Sequence, residues 1–341
     1  MPRPVLLIPG TQATCLRDND GTLIYNAVQV SLPLMPKKLG DYPKSQWVDL
    51  LSPVYTPGKV APDATSRLPG VSIRPAEVLA SPYAQPGSYE RWGYDWRDDL
   101  RYNAARLLGE LRLRAQRGDA RAGLVGHSQG GLLIVLASKL AAPGVFEKLV
   151  SAVVLAGAPL AGTLRAAEAL VFGSPSLGKE DQPLALAMAR AWPALYQMLP
   201  AWPSVTDPSG TPLPPDQQLL SMGGWLAGWN AGVTQDMLDR ARAVQALLRD
   251  PFAAMGGVSV CTLMGTDQET PTRLERSGNT FTRLVSEKKA GDTLVPYQVT
   301  MGWANSKAFN LTVTPCGTNT RPHAELCCDP TINARIAKLL A

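Results

Sequence analysis

A serine stands at the centre of the pentapeptide Gly-His-Ser-Gln-Gly, residues 126–130. The apolar run 122–125 before it has the character of a strand, and the apolar run 131–140 after it has the character of a helix. In this context G-x-S-x-G predicts a strained strand–turn–helix elbow, because small residues on either side let the strand and helix approach closely. The elbow places the Ser128 hydroxyl above the sheet, beside a helix N-terminus that favours negative charge. We predict that Ser128 is a nucleophile and that the backbone N–H of Gln129 stabilises the oxyanion.

A serine hydroxyl becomes an effective nucleophile only when a base within hydrogen-bond reach takes its proton. The chain has two histidines, His127 and His323. His127 lies inside the elbow, where its ring does not readily reach the neighbouring serine. His323 follows the apolar run 309–314, which is typical of a last strand. His323 is therefore the predicted general base.

The base needs an acid that holds its tautomer, and in elbow-bearing hydrolases the chain order is serine, acid, histidine. Two aspartates compete for this role. Asp267 follows the predicted strand 258–264, and Asp292 lies in the turn 290–296 between a small residue and an apolar stop. Either can also be a turn aspartate that binds its own backbone. Spacing alone does not decide between them.

The elements that must hold these residues alternate between strand and helix. The pattern predicts strands at 4–9, 91–96, 122–125, 150–156, 257–264 and 309–314, and helices at 97–116, 131–140 and 331–340. Asp95 is the expected cap of the helix at 97–116. Apolar strands that alternate with helices predict an α/β fold with a mostly parallel central sheet, covered by helices on both faces.

Residues 160–255 break this alternation, so we predict a core formed by residues 1–159 and 256–341 with a helical cap, or lid, inserted at 160–255. Residues 183–198 read as an apolar helix that Pro193 interrupts, and Thr234 is the expected cap of a helix that ends near Arg249. Four tryptophans fall in the cap, and they either pack within it or line an acyl-binding tunnel or interfacial surface. The predicted substrate-binding residues are Trp192, Trp202, Trp225 and Trp229. The proline-rich segment 31–90 reads as irregular structure and a candidate flap.

The composition limits the classes of function. Hydrophobic residues make up 45% and charged residues 18% of the 341 residues, as in an ordinary globular enzyme. The scattered basic residues and net charge of +5 carry no nucleic-acid motif, although they are compatible with peripheral contact with lipid surfaces. No apolar stretch is long enough for a transmembrane segment. We expect no cofactor and no metal, because two histidines and an unpaired Cys-Cys do not make a zinc site.

The cysteines and the chain start bear on location. Five cysteines are an odd number, which favours reduced thiols; in an exported form, Cys316 with Cys327 or Cys328 is the alternative disulfide. No apolar leader precedes the first strand, which predicts a cytoplasmic protein. A secreted location is the alternative if the chain is a mature or truncated form.

Several motifs together resemble the lecithin:cholesterol acyltransferase family, which includes enzymes of the lysosomal phospholipase A2 and phospholipid:diacylglycerol acyltransferase types. The opening run 4–10 resembles the family's first strand and oxyanion loop, and Tyr-Asp-Trp-Arg at 94–97 resembles its signature. Residues 195–200 resemble a cap motif that ends in Leu-Pro, and residues 291–296 resemble its acid turn. The family's leader and disulfide-closed lid have no clear counterpart here.

This resemblance implies an α/β-hydrolase fold and selects Asp292 as the acid. It also places the second oxyanion donor at Thr11. The implied function is a serine hydrolase that cleaves carboxylic esters of apolar acyl chains, of the lipase, phospholipase or esterase type. An O-acyltransferase that passes the acyl group to an alcohol is the alternative, and a non-catalytic lipid-binding relative is a third interpretation.

Overall fold

A computed structural model of the protein describes residues 4–17, 23–25, 43–46, 48–49, 74–78, 89–173, 182–225, 232–304, 313–319, 322–328 and 330–340. Within these ranges the strands are β1 (Val5–Ile8), β2 (Thr14–Arg17), β3 (Leu23–Tyr25), β4 (Arg74–Val78), β5 (Tyr89–Arg91), β6 (Ala122–His127), β7 (Val150–Ala156), β8 (Val205–Thr206), β9 (Ser259–Gly265), β10 (Gln268–Ser277), β11 (Thr280–Gly291) and β12 (Val313–Asn319). The α-helices are α1 (Leu100–Gln116), α2 (Gln129–Leu140), α3 (Phe146–Leu149), α4 (Leu164–Phe172), α5 (Gln182–Arg190), α6 (Pro193–Gln197), α7 (Gln235–Leu248), α8 (Tyr297–Ala304) and α9 (Pro330–Leu340). Short 3-10 helices span Lys44–Gln46, Pro215–Gln217, Met222–Gly224 and His323–Cys328.

The central sheet has six strands in the order β12-β9-β7-β6-β1-β5, and all its neighbouring strands pair in parallel. Successive side chains of a strand point to opposite faces. Leu6 of β1 therefore packs in the core that contains Leu107 of α1 and Leu132 of α2, whereas Leu7 packs with Ile336 of α9. Helices cover both faces, so the strands are apolar almost throughout. The predicted α/β fold, with a parallel central sheet covered by helices on both faces, is confirmed.

The segment between β5 and α1 differs from the prediction. The strand ends at Arg91, and the next residue, Trp92, still donates its backbone N–H to the Leu7 carbonyl of β1 at 2.9 Å. The helix begins at Leu100, because Asp99 and not Asp95 caps it: the Asp99 carboxylate accepts the backbone N–H of Arg101 at 2.9 Å.

Asp95 is instead paired with Arg97. Its carboxylate accepts the guanidinium Nε at 2.9 Å and Nη2 at 2.7 Å, and both side chains are buried. A carboxylate that receives two guanidinium N–H groups has less capacity left for a helix N-terminus.

The predicted cap region contains helices α4 to α7. The apolar run is divided as predicted, into α5 and an α6 that begins at Pro193, and Thr234 caps α7 by accepting the Met237 N–H at 3.2 Å. Strand β8 lies inside 160–255 but pairs with β10, which follows it in the chain. The proposed division into core and cap at residue 255 stays a prediction.

Sequence reasoning missed the long antiparallel hairpin of β10 and β11. The signal was present, because the turn contains Gly278, with φ +56°, followed by Asn279. Glycine followed by asparagine between two alternating runs is a hairpin signal.

A second small sheet joins β2, β3 and β4 in antiparallel pairs, so part of the proline-rich segment is ordered as strand. Most of the candidate flap at 31–90, and the run 309–312, lie outside the described residues.

Cys261 is disulfide-bonded, so the expectation of reduced thiols is wrong at this position. The side chains of the three cysteines proposed for the alternative disulfide lie outside the described part. Among the described helices, none is both long and apolar enough to cross a membrane.

Candidate active site

Ser128 occupies the turn between β6 and α2, with φ 53° and ψ −126°. A residue with a side chain rarely adopts this conformation, and strain of this kind collects at functional sites. The Ser128 N–H donates to the Ala156 carbonyl of the adjacent strand β7 at 2.8 Å. Gly130 permits the turn, because a Cβ there would collide with the carbonyl oxygens of Ile8 and Pro9 in the first strand and its loop. The predicted elbow is therefore formed, with the serine at its apex.

His323 and Asp292 are joined by two hydrogen bonds. The imidazole Nδ1 lies 2.7 Å from Asp292 Oδ2, and the backbone N–H of His323 donates to the Asp292 carbonyl oxygen at 2.7 Å. A carboxylate only accepts, so Nδ1 carries the hydrogen and Nε2 is left as the basic nitrogen. This is the tautomer that a general base for serine requires.

The Asp292 side chain is fully buried, and its other oxygen accepts the backbone N–H groups of Leu294 at 3.0 Å and Val295 at 2.8 Å. Burial alone would raise the pKa of Asp292. The interaction with His323 and these backbone hydrogen bonds outweigh burial, so the pKa lies below its ordinary value. Asp292 therefore remains ionised at neutral pH beside the imidazole.

The imidazole of His323 lies above the end of β7, on the same side as the elbow. Gly157 follows Ala156, the residue that binds the Ser128 N–H, and has φ +59°. A Cβ on Gly157 would stand 2.9 Å from His323 Cε1. The structure thus brings Ser128 and His323 to the same strand end, together with Asp292.

Asp267 lies elsewhere. Its side chain is 42% exposed, and its nearest charged partner is Lys289 Nζ at 3.7 Å. The fold therefore places Asp292, and not Asp267, beside the histidine. The catalytic role of Asp292 stays a prediction.

His127 has a position that the sequence did not indicate. Its Nε2 lies 3.1 Å from the His323 carbonyl oxygen, and the two ring centroids are 4.7 Å apart. The pKa of His127 is lowered to about 3, mainly because the ring is buried and secondly because His323 lies beside it. His127 is therefore a neutral imidazole, which donates through Nε2 to the backbone of the predicted base.

The two predicted oxyanion residues lie together. Gln129 is the first residue of α2, so its backbone N–H has no acceptor within the helix. The Thr11 side chain reaches Gln129, with Oγ1 donating to Oε1 at 2.8 Å. Gly10 lies against the nucleophile, because a Cβ on it would be 2.9 Å from Ser128 Cβ. Their role toward an oxyanion stays a prediction.

Two threonines anchor the acid turn from outside, and sequence reasoning missed both. Thr163 Oγ1, at the start of α4, donates to the Leu294 carbonyl at 2.5 Å. Thr270 Oγ1, in β10, accepts the Thr293 N–H at 2.9 Å. These contacts join residues far apart in the chain, and no local pattern marks them.

The cap tryptophans make separate contacts. Trp192 packs edge-on against Trp96 with ring centroids 5.0 Å apart, and the Trp202 indole donates to the Thr272 carbonyl at 3.4 Å. Trp225 is 4% exposed and donates to the Leu219 carbonyl at 2.8 Å, which favours the packing interpretation for this residue. Trp229 lies outside the described residues. Their contact with substrate stays a prediction.

No group of three or more His, Cys, Asp or Glu side chains in the described part of the chain is arranged to hold a metal ion.

Comparison with known proteins places this chain in a family. A family model described as "Alpha/beta hydrolase family" matches residues 6–282, which is well over half of the chain. The chain belongs to the alpha/beta hydrolase family. The match includes the elbow and ends before Asp292 and His323, so it carries no information on those two residues. No curated protein matches the sequence.

Three solved structures are similar to this chain, and one of them superposes well enough to share its fold. A chain of the Tle4-Tli4 complex superposes with a TM-score of 0.58 at 16% identity, covering 100% of this chain and 99% of that one. The mature lipase BlEst2 of Bacillus licheniformis gives a TM-score of 0.36 at 14% identity, covering 72% of this chain and 76% of that one. Phospholipase PlaB of Legionella pneumophila gives 0.38 at 12% identity, covering 75% of this chain and 52% of that one. At 16% identity, the likeness to the chain of the Tle4-Tli4 complex concerns the fold alone.

Proposed function

We propose that this alpha/beta hydrolase is a serine hydrolase that cleaves carboxylic esters through an acyl-enzyme, with Ser128 as nucleophile, His323 as general base and Asp292 as the acid. The observation that carries the proposal is the hydrogen bond of 2.7 Å between His323 Nδ1 and the buried Asp292 carboxylate. An ionised acid that holds this tautomer leaves Nε2 able to accept the serine proton.

In the proposed reaction, Ser128 Oγ attacks the ester carbonyl carbon while its proton passes to His323 Nε2. The carbonyl oxygen becomes an oxyanion, which the backbone N–H groups of Thr11 and Gln129 stabilise. The tetrahedral intermediate collapses, the bond to the alcohol breaks, and the leaving alkoxide takes the proton from His323. Water then attacks the acyl-serine by the same steps in reverse, releases a carboxylic acid and restores the free hydroxyl.

The proposed substrates are esters with apolar acyl chains. The resemblance of residues 94–97 and 291–296 to the lecithin:cholesterol acyltransferase family supports a lipid-like ester. So does a cap that carries tryptophans beside the core, since Trp192 packs on Trp96. Acyl transfer to an alcohol uses the same acyl-enzyme, and the acceptor decides between the two outcomes.

For location we propose an oxidising compartment, because disulfides persist there and Cys261 is disulfide-bonded. This favours the secreted alternative over the cytoplasmic expectation. Mass spectrometry of the native protein with and without reductant tests it: a Cys261 thiol that alkylates freely before reduction contradicts the proposal.

A fluorophosphonate probe tests the nucleophile directly. We expect the wild-type protein to be labelled, Ser128→Ala to be unlabelled, and Ser138→Ala to be labelled as wild type. Ser138 is the matched control, because it is a buried serine of α2 whose hydroxyl binds the Val135 carbonyl at 2.7 Å. A folded wild-type protein that no probe labels would support the non-catalytic interpretation instead.

Substrate class is tested with p-nitrophenyl esters of two to twelve acyl carbons, with and without an added alcohol. We expect p-nitrophenol release from the longer esters, with free carboxylic acid as the main product. If the acyl chain is recovered mainly as an ester of the added alcohol, the protein is a transferase.

A further inference from the structure

The side chain of Gln129 is a fully buried amide that contacts three parts of the site at once. Its Oε1 accepts the Thr11 hydroxyl at 2.8 Å and faces the Tyr94 hydroxyl at 3.3 Å, and its Nε2 donates to the Trp96 carbonyl at 3.0 Å. The amide orientation is determined by its surroundings, because a carbonyl oxygen can only accept from Nε2 and the Thr11 hydroxyl donates to Oε1.

The loop that these contacts hold runs directly past the nucleophile. The Tyr94 hydroxyl also lies 2.9 Å from the Pro9 carbonyl, so it fixes the start of the loop. The Thr11 side chain fixes the next turn, where the Ala13 N–H reaches the Gly10 carbonyl at 3.3 Å and Gln12 has φ 64°. Such a turn has alternative peptide orientations of similar energy, so a side-chain bond on one side can select between them.

We propose that the Gln129 side chain is a positioning residue for the oxyanion hole. Its backbone N–H is one predicted donor, and its amide holds the Thr11 loop that carries the other. This inference rests on the proposed function. Its physical basis is that a hydrogen-bond donor contributes to catalysis only when it is already oriented toward the developing oxyanion.

A positioning role predicts a specific kinetic pattern. When the Thr11–Gln129 bond is lost, the Gly10–Thr11 peptide should turn away for part of the time. The tetrahedral intermediate then loses more hydrogen-bond stabilisation than the bound ester does. We therefore expect kcat to fall about tenfold to a hundredfold, less than the full loss of a donor, with KM nearly unchanged. The affinity for a tetrahedral mimic, such as a trifluoromethyl ketone, should fall by a similar factor.

The test is a double-mutant cycle with Thr11→Val and Gln129→Met, measured on a p-nitrophenyl ester. Both variants keep the backbone N–H and remove one partner of the bond. We expect each single variant to have a lower kcat than the wild-type protein. The kcat of the double variant should be no lower than that of the more impaired single variant. Thr11→Ser, which returns the hydroxyl, should recover most of the loss caused by Thr11→Val.

Gln245→Met is the matched control for removing a buried glutamine. Its Nε2 donates to the carbonyls of Gln197 and Leu199 in the cap at 2.9 and 3.2 Å. We expect it to lower the melting temperature while leaving kcat within about twofold, in contrast to Gln129→Met, which should lower kcat. If Gln129→Met does not fold, the Thr11→Val and Thr11→Ser pair still tests the proposal, because Thr11 is half-buried and its substitution leaves the core intact.

Two results overturn the inference. Wild-type kcat in Thr11→Val would show that the loop keeps its position without the bond. Additive losses in the double variant would show that the two side chains act independently and not through their shared bond. Neither result bears on the proposed function, which is tested separately by fluorophosphonate labelling and ester turnover of the wild-type protein.

Discussion

His323 is bound to Asp292 through both its side chain and its backbone, each at 2.7 Å. The backbone bond fixes where the histidine backbone lies, and the side-chain bond determines which ring nitrogen is left to accept a proton. Because both bonds end on one residue, the position and the tautomer of the predicted base depend on the same turn.

Asp292→Asn should therefore reduce kcat by roughly ten-thousandfold, as the loss of the correct tautomer does in serine proteases. The backbone bond is kept, so the protein should fold. Asp267→Asn is the matched control and should keep near wild-type kcat, because Asp267 is partly exposed and lies at Lys289. The measurement is kcat for one ester with the wild-type protein and both variants. A larger loss of kcat in Asp267→Asn than in Asp292→Asn would mean that the acid is misassigned.

The close approach of Gly157 to His323 gives a second prediction. A Cβ on Gly157 would stand 2.9 Å from His323 Cε1 and 2.8 Å from Leu326 Cδ1, and the residue has φ +59°. Gly157→Ala should displace the imidazole and lower kcat by at least tenfold, with a loss of stability of about 1 kcal/mol or more from backbone strain.

Gly109→Ala is the control for this substitution. Gly109 lies in α1, and a Cβ added there would meet no neighbouring atom within 4 Å outside its own helix turn, so alanine should raise stability by about 0.5–1 kcal/mol and leave activity unchanged. Thermal melting and ester kinetics on both variants separate the two effects. Unaltered kcat in Gly157→Ala would place the imidazole away from the end of β7.

Much of the site follows from local patterns. The elbow could be predicted because glycines, serine and the flanking apolar runs are adjacent in the sequence. His323 could be proposed as the base because there are only two histidines and the other one lies inside the elbow. The choice of acid depends on how two turns sit in three dimensions, and spacing carried no information about that. Only the family resemblance selected Asp292, and the structure places this residue, not Asp267, beside His323.

The remaining differences arise where tertiary contacts override local preference. Asp95 is a reasonable cap by sequence, yet Arg97 binds it in the core and Asp99 caps the helix. The Thr163 hydroxyl reaches the acid turn across 131 positions, a contact that no local rule contains. The hairpin of β10 and β11 is a different case, because its Gly-Asn turn was readable and the strands were long enough to predict.

The neutral state of His127 predicts a pH dependence of stability. Its pKa is about 3 in the folded protein and about 6.5 in an unfolded chain, so between these values only the unfolded state takes up the proton. Stability should therefore be highest above about pH 6.5 and fall as the pH decreases, with a contribution of up to about 1.4 kcal/mol per pH unit from this residue.

His127→Gln removes this titration and keeps an N–H that can donate to the His323 carbonyl. Between pH 7 and pH 5 the wild-type protein should lose up to about 2 kcal/mol more of its unfolding free energy than the variant does. Burial raises the pKa of Asp98 to about 7, but Asp98 is present in both proteins, so its contribution to the pH dependence cancels in the comparison. Asp292 contributes little between these pH values, because its pKa is lowered and lies below them. Urea unfolding at the two pH values measures the difference, and identical losses would mean that folded His127 takes up a proton normally.

The last prediction concerns acyl-chain selection by the cap. Trp192 is half-buried at the start of α6 and packs on Trp96, whose carbonyl holds the Gln129 side chain. Of the described cap tryptophans, it is therefore the one tied most directly to the elbow. Each buried methylene is worth about 0.8 kcal/mol, so contact with a few carbons changes kcat/KM by an order of magnitude.

We expect Trp192→Ala to lower kcat/KM about tenfold or more for a C8–C12 ester and much less for an acetate ester. Trp225→Ala is the control, because Trp225 is buried against the Leu219 carbonyl and should affect stability without altering selectivity. The quantity to measure is the ratio of kcat/KM for the long ester to that for the short one. If Trp192→Ala leaves this ratio unchanged while Trp225→Ala lowers it, selection occurs deeper in the cap than the Trp96–Trp192 contact.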